Sequence, residues 1–381
     1  MDLKPLSSSF HAFALPPDTG SLRVTAGLPP AKAVDTNKRP DKMTRPRSAT
    51  PLPPAPVPRR RAAAALAVAT LAWLSPGAAQ ADPLRIAASR SPVSLPLYVA
   101  QRRGFFVDEG LDIAISDCIG GSRCLRALLD DKADIATSAE SSVVQQAFQH
   151  ADVAIVATMV HANDNIKLIA RKASGVVRSE QLAGRRVGVI VGSAAQYALE
   201  LHLLSVGVDP RRVTMVPLQP EETVAALRDG RIDAVTVWEP YSFTALRGTD
   251  PIGLRVPLAG GYIETYNLVA RQALFAQRDD AVVRLLRAVE RAEQFIQAHP
   301  AEAQAVLRDR LQLDQAFVDW VWGGLAWRLS LDQSLLSTME GEARWAQRER
   351  HVAEGARPNV LLLVHAGPLK AVKPAAVGIG G

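Results

Sequence analysis

The chain has 381 residues, of which 48% are hydrophobic and 5% aromatic, and this composition excludes a disordered protein and allows two domains of ordinary size. The formal charge is +6, but residues 1–81 hold 11 Lys or Arg and four Asp, which leaves 33 basic and 34 acidic residues from Asp82 onward. A segment with a net charge of −1 has no overall positive field, so we expect no nucleic-acid partner.

The N-terminal part has the pattern of an export signal. Arg59–Arg61 is a positive region, residues 62–74 form an apolar run, and Ala79–Ala81 has the small-x-small form of a cleavage site. The apolar run is too short to span a bilayer. We therefore predict that residues 1–81 are an N-terminal extension and a signal peptide cleaved near Ala81, and that the mature protein is periplasmic.

Two properties of this leader stay open at the level of sequence. The arginine cluster is compatible with general secretion and with the twin-arginine route. Translation starts either at Met1 or at Met43, because residues 1–42 are polar, rich in proline and unlike a signal peptide.

From Asp82 onward, short apolar runs alternate with helical patterns, which predicts a mainly parallel sheet with helices between its strands. In chain order, the first series predicts a strand at 84–88, a helix at 95–102, a strand at 112–116, a helix at 122–129, a strand at 134–138, a helix at 141–149 and extended segments at 153–160 and 166–171.

A second series of the same kind begins near Ser179. It predicts a strand at 186–191, a helix at 193–206, a strand at 213–217, a helix at 221–228, strands at 234–237 and 251–256, an extended segment at 266–271, and helices at 279–298, 301–310, 314–322 and 332–353. We assign residues 82–171 and 266–381 to one lobe and residues 172–265 to a second lobe. Two chain crossings between the lobes would form a hinge that permits closure about a ligand.

One stretch of sequence occurs twice, 99 positions apart. Residues 127–140 and 226–239 are identical at six of fourteen positions, and each copy ends on a glutamate, Glu140 or Glu239. In both copies a helix end and a charged turn lead into a strand. The repeat predicts two similar α/β lobes, each of which offers a strand tip to a cleft between them.

Several polar residues follow the predicted strands of the first lobe. The tips of strands point into the crevice of an open parallel sheet, so we take Ser91, Gly121, Ser138 and Glu140 as candidate ligand contacts. Gly121 belongs to a Gly-Gly-Ser turn that could bind an anion through its backbone N–H groups. The alternatives are solvated loops and, for Glu140, a carboxylate placed at a helix start.

The second lobe offers a comparable set. Gly192 and Ser193 stand between a strand and a helix whose N-terminus favours an anion, and Gln196 lies in the first turn; a plain capped turn is the alternative. Trp238 is a candidate for stacking on a ligand. Glu239 is either a contact or a carboxylate at a helix start. Together with Glu140, the residues Trp238, Glu239 and Tyr266 would suit an amine-bearing or heteroaromatic ligand.

Two further features complete the candidates. The segment 161–165 is either a solvated hinge loop or a source of polar ligand contacts. Cys118 and Cys124 flank a short turn, and an oxidising compartment favours a disulfide between them; free thiols, a nucleophile and a metal ligand are the alternatives. The sequence has no metal-ligand spacing, phosphate-binding loop or nucleophile elbow, so we predict neither a metal nor a cofactor.

Five short motifs resemble, in order and spacing, those of the periplasmic substrate-binding proteins of ABC importers, in particular the nitrate/sulfonate/taurine and thiamine-precursor-like group. They are Pro96–Ala100, Asp134–Thr137, Leu182–Val189 with the Gly192-Ser193 pair after it, Val237–Tyr241, and Pro368–Lys370. The resemblance covers nearly all of residues 84–377.

This resemblance implies an α/β periplasmic-binding-protein fold of type II, with two lobes, a hinge and a ligand cleft. It further implies a monomeric, non-enzymatic receptor that delivers a small polar or anionic ligand, such as a sulfonate, taurine or nitrate, to an ABC permease. The protein would contact the membrane only through this permease. The alternatives are a thiamine-precursor pyrimidine as ligand, a signalling role, and an enzyme on the same fold, such as a desulfinase that uses Cys118 or Cys124.

Overall fold

Two β-sheets form the framework of the described residues, which are 82–247, 251–258, 262–349, 352 and 357–379 of a computed structural model. The predicted extension and signal peptide at 1–81 lie outside the described residues. Both sheets belong to one compact unit, Ala81–Gly381.

The first sheet has six strands in the spatial order β11-β4-β10-β3-β1-β2. These strands are β1 (Leu84–Ser89), β2 (Ile113–Cys118), β3 (Ile135–Ala139), β4 (Val153–Ala162), β10 (Glu264–Arg271) and β11 (Leu325–Ser330). Strand β1 runs parallel to β2 and β3, whereas β10 lies antiparallel between β3 and β4. We call this sheet and the helices packed on it the first lobe.

The second sheet has five strands in the order β7-β6-β8-β5-β9. They are β5 (Ile166–Arg171), β6 (Arg186–Val189), β7 (Thr214–Pro217), β8 (Ala234–Trp238) and β9 (Gly253–Val256). Strand β6 runs parallel to β7 and β8, and β5 lies antiparallel between β8 and β9. This sheet and its helices form the second lobe.

The pairing corrects two predictions. The sheets are mixed and not mainly parallel, because β10 and β5 enter their sheets from the crossings and run against the strands beside them. The predicted division placed residues up to 171 in the first lobe, but β5 pairs with β8 and β9 in the second sheet. The chain therefore changes sheet at residues 163–165, between β4 and β5, and returns between β9 and β10.

Helices connect the strands and cover both sheets. In chain order the described residues contain α1 (Leu95–Arg102), α2 (Phe105–Asp108), α3 (Gly121–Leu129), α4 (Glu140–Ala147), α5 (Ala194–Ser205), α6 (Thr223–Arg228), α7 (Tyr241–Arg247), α8 (Gln272–Ala298), α9 (Pro300–Leu311), α10 (Gln315–Trp322), α11 (Gln333–Arg348) and α12 (Gly367–Val372). None of the helices among the described residues combines the length and the apolar character needed to cross a bilayer.

The C-terminal part differs from the prediction in three places. Helix α8 begins at Gln272, but its backbone leaves the helical region at Arg278, so the predicted start at 279 marks the regular part. Strand β11 was not predicted; its burial alternates along Leu325–Ser330 and it extends the first sheet beside β4. Helix α11 ends at Arg348, earlier than the predicted residue 353.

The second sheet is buried on both faces, as the alternation of side chains along a strand requires. In β5, Leu168 and Ala170 pack into one apolar cluster with Val187 of β6. The residue between them, Ile169, packs into the opposite cluster with Val235 of β8. A sheet covered on both faces is a rigid platform, so its strand tips hold their positions at the cleft.

Candidate functional site

A cavity of about 320 Å³ lies between the two lobes, and it is lined by residues that follow the carboxyl ends of parallel strands in both sheets. Strand ends at one edge of an open α/β sheet are the usual position of a ligand site. Pockets for small molecules commonly measure about 300–1,000 Å³, so this cavity suits a small ligand.

The first lobe presents hydroxyl groups to the cavity. Ser91 follows β1, and its Oγ lies 3.1 Å from Oγ of Ser89. Ser122, in the first turn of α3, and Ser142, in the first turn of α4, also line the cavity, and their Oγ atoms are 2.8 Å apart. This wall can therefore donate several hydrogen bonds to an oxygen-rich ligand.

Gly121 opens α3 at the cavity wall, and a side chain would not fit there. A Cβ atom at this position would lie 2.9 Å from the backbone nitrogen of Ala139 and 2.9 Å from Cα of Ser138. The glycine thus lets α3 pack directly against the tip of β3, which keeps the helix N-terminus at the cavity.

The second lobe brings a third helix to the same place. Ser193 lines the cavity and caps α5, because its Oγ accepts a hydrogen bond of 3.3 Å from the Gln196 backbone nitrogen. The same Oγ donates to the Ile190 carbonyl at 2.7 Å. The first N–H groups of a helix have no partner inside the helix and carry a partial positive charge. The N-termini of α3, α4 and α5 therefore make the cavity favourable to an anion.

Aromatic rings supply the less polar part of the cavity. Trp238, the last residue of β8, lines the cavity, and a Cβ atom on Gly120 of the first lobe would lie 3.3 Å from its Cζ2. Tyr266 of β10 lines the cavity from the first lobe and is almost fully buried. Because Trp238 reaches the opposite lobe, it can cover the organic part of a ligand.

The two lobes also touch at the mouth of the cleft. Arg123 of α3 donates to Glu221 at 2.5 Å and to the side-chain oxygen of Gln219 at 3.2 Å, both on the second lobe. Gly192 approaches the side chain of Gln145 in α4, and its φ of +73° lies in the left-handed region. The cavity is thus bounded by contacts that bring the lobes together.

Five predicted contacts do not line the cavity, and three of them, Ser138, Gly192 and Gln196, lie behind its wall. Ser138 is fully buried behind Gly121, and its Oγ donates to the Ala139 carbonyl. Gln196 accepts a hydrogen bond of 2.9 Å from the Gly192 backbone nitrogen, so both residues shape the loop before α5 from behind. The side chain of Gln196 has turned away because it also donates to Glu200 at 2.9 Å.

Glu239 was also predicted as a contact, but its carboxylate is directed to the hinge. It accepts hydrogen bonds of 2.7 Å from Lys167 Nζ, 2.6 Å from Trp320 Nε1 and 2.9 Å from the Phe243 backbone nitrogen. Lys167 and Glu239 are each 1% exposed. This buried ion pair joins β5, the tip of β8 and, through Trp320, helix α10 of the first lobe.

Glu140 occupies the equivalent position in the first lobe and is likewise directed away from the cavity. Its carboxylate accepts hydrogen bonds of 2.8 Å and 2.7 Å from the backbone nitrogen and Oγ1 of Thr265, and its Oε1 lies 2.5 Å from the Tyr262 hydroxyl. Burial raises the pKa of Glu140, although these hydrogen bonds act against the shift. Glu140 therefore anchors the start of β10.

The cavity residues that were not singled out individually in the sequence include Asn165 and Glu264. Asn165 lies at the first crossing, in the segment 161–165, and its Nδ2 donates to Glu264 Oε2 at 2.7 Å. Glu264 begins β10 at the second crossing, and burial together with the nearby Glu140 carboxylate raises its pKa to about 8. No local pattern marks these residues, because β4 and β10 bring them together across 99 positions.

Cys118 at the end of β2 and Cys124 in α3 are joined by a disulfide, with their Cα atoms 5.5 Å apart. The bridge ties the strand end to the helix whose N-terminus borders the cavity. It therefore limits the freedom of one wall of the site.

The profile of the family described as NMT1/THI5 like matches residues 91–303, which is more than half of the chain. Among curated relatives, the putative binding protein YtlA of Bacillus subtilis is 26% identical over 216 residues, covering 54% of this chain and 64% of that protein. A putative aliphatic sulfonates-binding protein of the same organism is 26% identical over 235 residues, covering 59% of this chain and 69% of that protein. The chain thus spans about two thirds of the length of these relatives.

Solved structures share the architecture. The alkanesulfonate-binding protein SsuA from Xanthomonas axonopodis pv. citri, bound to MOPS, has a TM-score of 0.65 at 19% identity, covering 75% of this chain and 98% of that chain. A Candida albicans protein described as having the generic periplasmic binding protein structural fold has a TM-score of 0.61 at 17% identity, with 77% and 95% covered. The predicted periplasmic-binding-protein fold is confirmed.

Proposed function

The chain belongs to the NMT1/THI5-like family, and we propose that it is an extracytoplasmic solute-binding protein that closes two lobes on a small organic anion and presents it to an ABC import permease. The observation that carries this proposal is the cavity between the lobes, where the N-termini of α3, α4 and α5 meet the indole of Trp238. Helix N-termini favour an oxyanion, and the indole favours an apolar group attached to it.

Closure would occur about the two chain crossings. We propose that residues 82–165 and 264–379 form one lobe, that residues 166–256 form the other, and that both rotate about the segments between them. Arg123 and Glu221 at the mouth would then form and break their ion pair as the cleft closes and opens. The leader pattern at 59–81 supports a periplasmic location, which is where an import permease would meet the protein.

A sulfonate is the ligand class that this arrangement supports best. A sulfonate group offers three acceptor oxygens and one negative charge, which the hydroxyls of Ser91, Ser122 and Ser142 and the helix N-termini can satisfy together. A short carbon chain fits beside Trp238. Nitrate would use the same donors but would leave the indole without a partner.

An aminopyrimidine is the second candidate, and one observation favours it. Glu264 and the side-chain amide of Asn165 lie side by side in the cavity with Tyr266 of the same strand. A carboxyl and an amide beside an aromatic ring can pair with the edge and face of a flat heterocycle. A pyrimidine that binds while sulfonates do not would replace the sulfonate proposal.

A cysteine-dependent enzyme is not supported. The chain has two cysteines, Cys118 and Cys124, and the disulfide occupies both sulfurs. A nucleophilic cysteine acts as a free thiolate, which neither residue provides in this form.

A thermal-shift screen of the mature protein tests the proposed function. The probes are ethanesulfonate, taurine, MOPS, nitrate and an aminopyrimidine. A ligand at about 100 times its Kd stabilises the folded state by about 2.7 kcal/mol, which corresponds to about 4 °C in Tm for a chain of this size. We expect a sulfonate to give the largest shift. No shift with any probe would contradict the proposal.

The variant Trp238→Ala tests whether the ligand binds in the cleft. We expect it to weaken sulfonate binding at least tenfold, because about 1.5–3 kcal/mol of aromatic contact is lost. Trp322→Ala is the matched control: Trp322 is also partly buried but packs on Trp327 outside the cavity. The control should lower the Tm of the empty protein and keep the ligand-induced shift.

A further inference from the structure

We propose that Glu264 enters the cleft as an uncharged carboxylic acid and donates a hydrogen bond to the anionic group of the ligand, so that the protein binds the anion together with one proton. This inference rests on the proposed function, since it concerns how the same cavity selects an anion. It assigns to Glu264 a role as a specificity-determining residue.

The position of Glu264 suits a donor to the ligand. Its side chain lines the cavity while the residue is only 5% exposed, so bulk water does not compete strongly for it. Asn165 Nδ2 donates to Oε2 at 2.7 Å, which fixes the plane of the carboxyl group. The other oxygen, Oε1, has no hydrogen-bond partner among the described residues. That oxygen is the one available to carry a proton towards a ligand.

The carboxyl groups around Glu264 have no cation in ion-pair contact among the described residues. Glu140 from α4 and Glu342 from α11 lie on either side of the Tyr262 hydroxyl, at 2.5 Å and 3.4 Å. Oε2 of Glu342 is buried and has no hydrogen-bond partner among the described residues. Within the described part of the chain, none of the three carboxyl groups forms an ion pair, and no cluster of side chains is placed to hold a metal ion.

The other titratable groups around this cluster do not neutralise its negative charge. They are Tyr197 of α5, Tyr262 and Tyr266 near the start of β10, Lys167 of β5, His161 of β4, and Arg344 and Arg348 of α11, which pair with Glu340 and Glu349. Burial raises the pKa of each of the three tyrosines, so they stay neutral. The Lys167 ammonium is held by Glu239, and His161 faces Asp332 at 3.6 Å. Protonation of its carboxyl groups therefore reduces the negative charge of the cluster.

The titration of Glu264 supports this geometry. Burial, and then the Glu140 carboxylate, raise its pKa to about 8, so the carboxyl is mostly protonated at neutral pH. An anion in the cavity would raise this pKa further, because a second negative charge opposes ionisation. An ionised Glu264 would repel the same anion. Affinity is then reduced by the fraction of protein that has lost the proton.

Calorimetric titration with ethanesulfonate and with nitrate tests the inference, because both probes keep one negative charge between pH 6.5 and pH 9. With a pKa of about 8 for Glu264, we expect Kd to rise about tenfold between these values. Titration at pH 8.5 in two buffers of different ionisation enthalpy should show uptake of about three quarters of a proton per anion bound, because about one quarter of the free carboxyls already carry the proton at this pH.

The variant Glu264→Gln separates this role from a purely structural one. Glutamine keeps a donor where the acid had one and cannot ionise, so the variant should bind both anions with a Kd that no longer changes with pH. Glu293→Gln is the matched control: Glu293 is a buried carboxylate paired with Lys373 and does not line the cavity. This control should keep the tenfold dependence.

The outcomes are distinct. A flat pH profile of the unmodified protein, proton release on binding, or an unchanged pH profile in Glu264→Gln would each overturn the inference and leave anion binding itself standing. Affinity for these anions that increases with pH would also overturn the inference, because an ionised Glu264 cannot attract them. Absence of binding by every anion at pH 6.5 would overturn the proposed function and the inference with it.

Discussion

The two strand tips of the repeated sequence carry the same glutamate but hold it in different chemical environments. Glu239 of the second lobe meets the Lys167 ammonium at 2.7 Å, so its negative charge is balanced inside the protein. Glu140 of the first lobe meets Thr265, Tyr262 and two further carboxyl groups nearby. Each glutamate nevertheless holds the second residue of the strand that enters its sheet from a crossing.

The position of each glutamate in the repeat determines which strand it anchors, and the residue on that strand determines whether the glutamate has a cationic partner. Lys167 on β5 makes the second-lobe anchor an ion pair, whereas Thr265 on β10 offers only neutral donors. The side of the hinge that lacks a cation is the side that borders Glu264. The asymmetry between the lobes thus gives the cleft a neutral acid at one crossing and a balanced pair at the other.

The largest expected effect is the difference in stability between variants that carry the same substitution at the two glutamates. Glu239→Gln leaves the buried Lys167 ammonium with only the Asp164 carboxylate, 3.5 Å away, and we expect the free energy of unfolding to fall by about 3–5 kcal/mol. Glu140→Gln breaks no ion pair among the described residues, because the donors to Glu140 there are neutral, and we expect a smaller loss of about 1–2 kcal/mol at pH 6. Urea denaturation of both variants at this pH measures the two values.

A double variant provides the control for this prediction. Lys167→Met combined with Glu239→Gln removes both charges, so it should recover much of the stability that Glu239→Gln loses. Equal losses at Glu140 and Glu239 would mean that the two anchors carry the same charge, which would contradict the comparison.

A smaller effect is expected in the pH dependence of the free energy of unfolding. The folded-state pKa of Glu264, about 8, lies above its ordinary value, and the pKa values of Glu140 and Glu342 are also raised by burial. A raised pKa stabilises the fold fully below the unfolded value near 4.5, and this contribution is lost as the pH rises through the folded value. Between pH 5 and pH 8 we expect Glu264 to contribute a loss of about 1.4 kcal/mol per pH unit, and Glu140 and Glu342 to change the stability in the same direction.

Thermal or urea unfolding of the empty protein at several pH values measures this slope. Glu264→Gln should reduce it, and Glu302→Gln, which changes an exposed carboxylate, should leave it unchanged. Asp134 and Asp233 have lowered pKa values because of their arginine partners, so their contributions change below about pH 4 and do not mask the effect. Stability that increases from pH 5 to pH 8 would contradict a protonated cluster.

The mouth of the cleft should give the smallest effect. The Arg123–Glu221 pair joins the lobes opposite the hinge, but its side chains are 45% and 29% exposed. A solvated ion pair contributes about 0.2–1 kcal/mol, so Arg123→Met should weaken ligand binding by a factor of about five at most. Arg178→Met, at an exposed pair with Glu180 within the second lobe, should leave Kd unchanged. A loss above a hundredfold would make the mouth pair, and not the hinge, the main determinant of closure.

Much of this fold could be predicted from the sequence because its strands and helices alternate in clear local patterns. Strand β11 was missed because it is a short segment between helices and pairs with β4 far away in the chain. The antiparallel course of β5 and β10 was missed for the same reason. Local apolar patterns identify a strand, but its direction in the sheet depends on neighbours that the pattern does not contain.

The candidate site was predictable where the backbone alone positions a residue. Ser91, Gly121, Ser193 and Trp238 follow strand ends and line the cavity. Glu140 and Glu239 also follow strand ends, but their side chains are long enough to reach donors at the hinge. Asn165 and Glu264 meet only because the two crossings run side by side. Long-range pairing of this kind leaves no mark in a local stretch of sequence.

The electron density of the cleft in crystals grown with saturating ethanesulfonate shows directly whether an organic anion binds between the lobes. We expect the sulfonate between the lobes, with its carbon chain on the Trp238 indole. Its oxygens should lie at the N-termini of α3 and α5 and within hydrogen-bond distance of Glu264. An empty cleft at saturating ethanesulfonate, or a sulfonate bound outside it, would contradict the account.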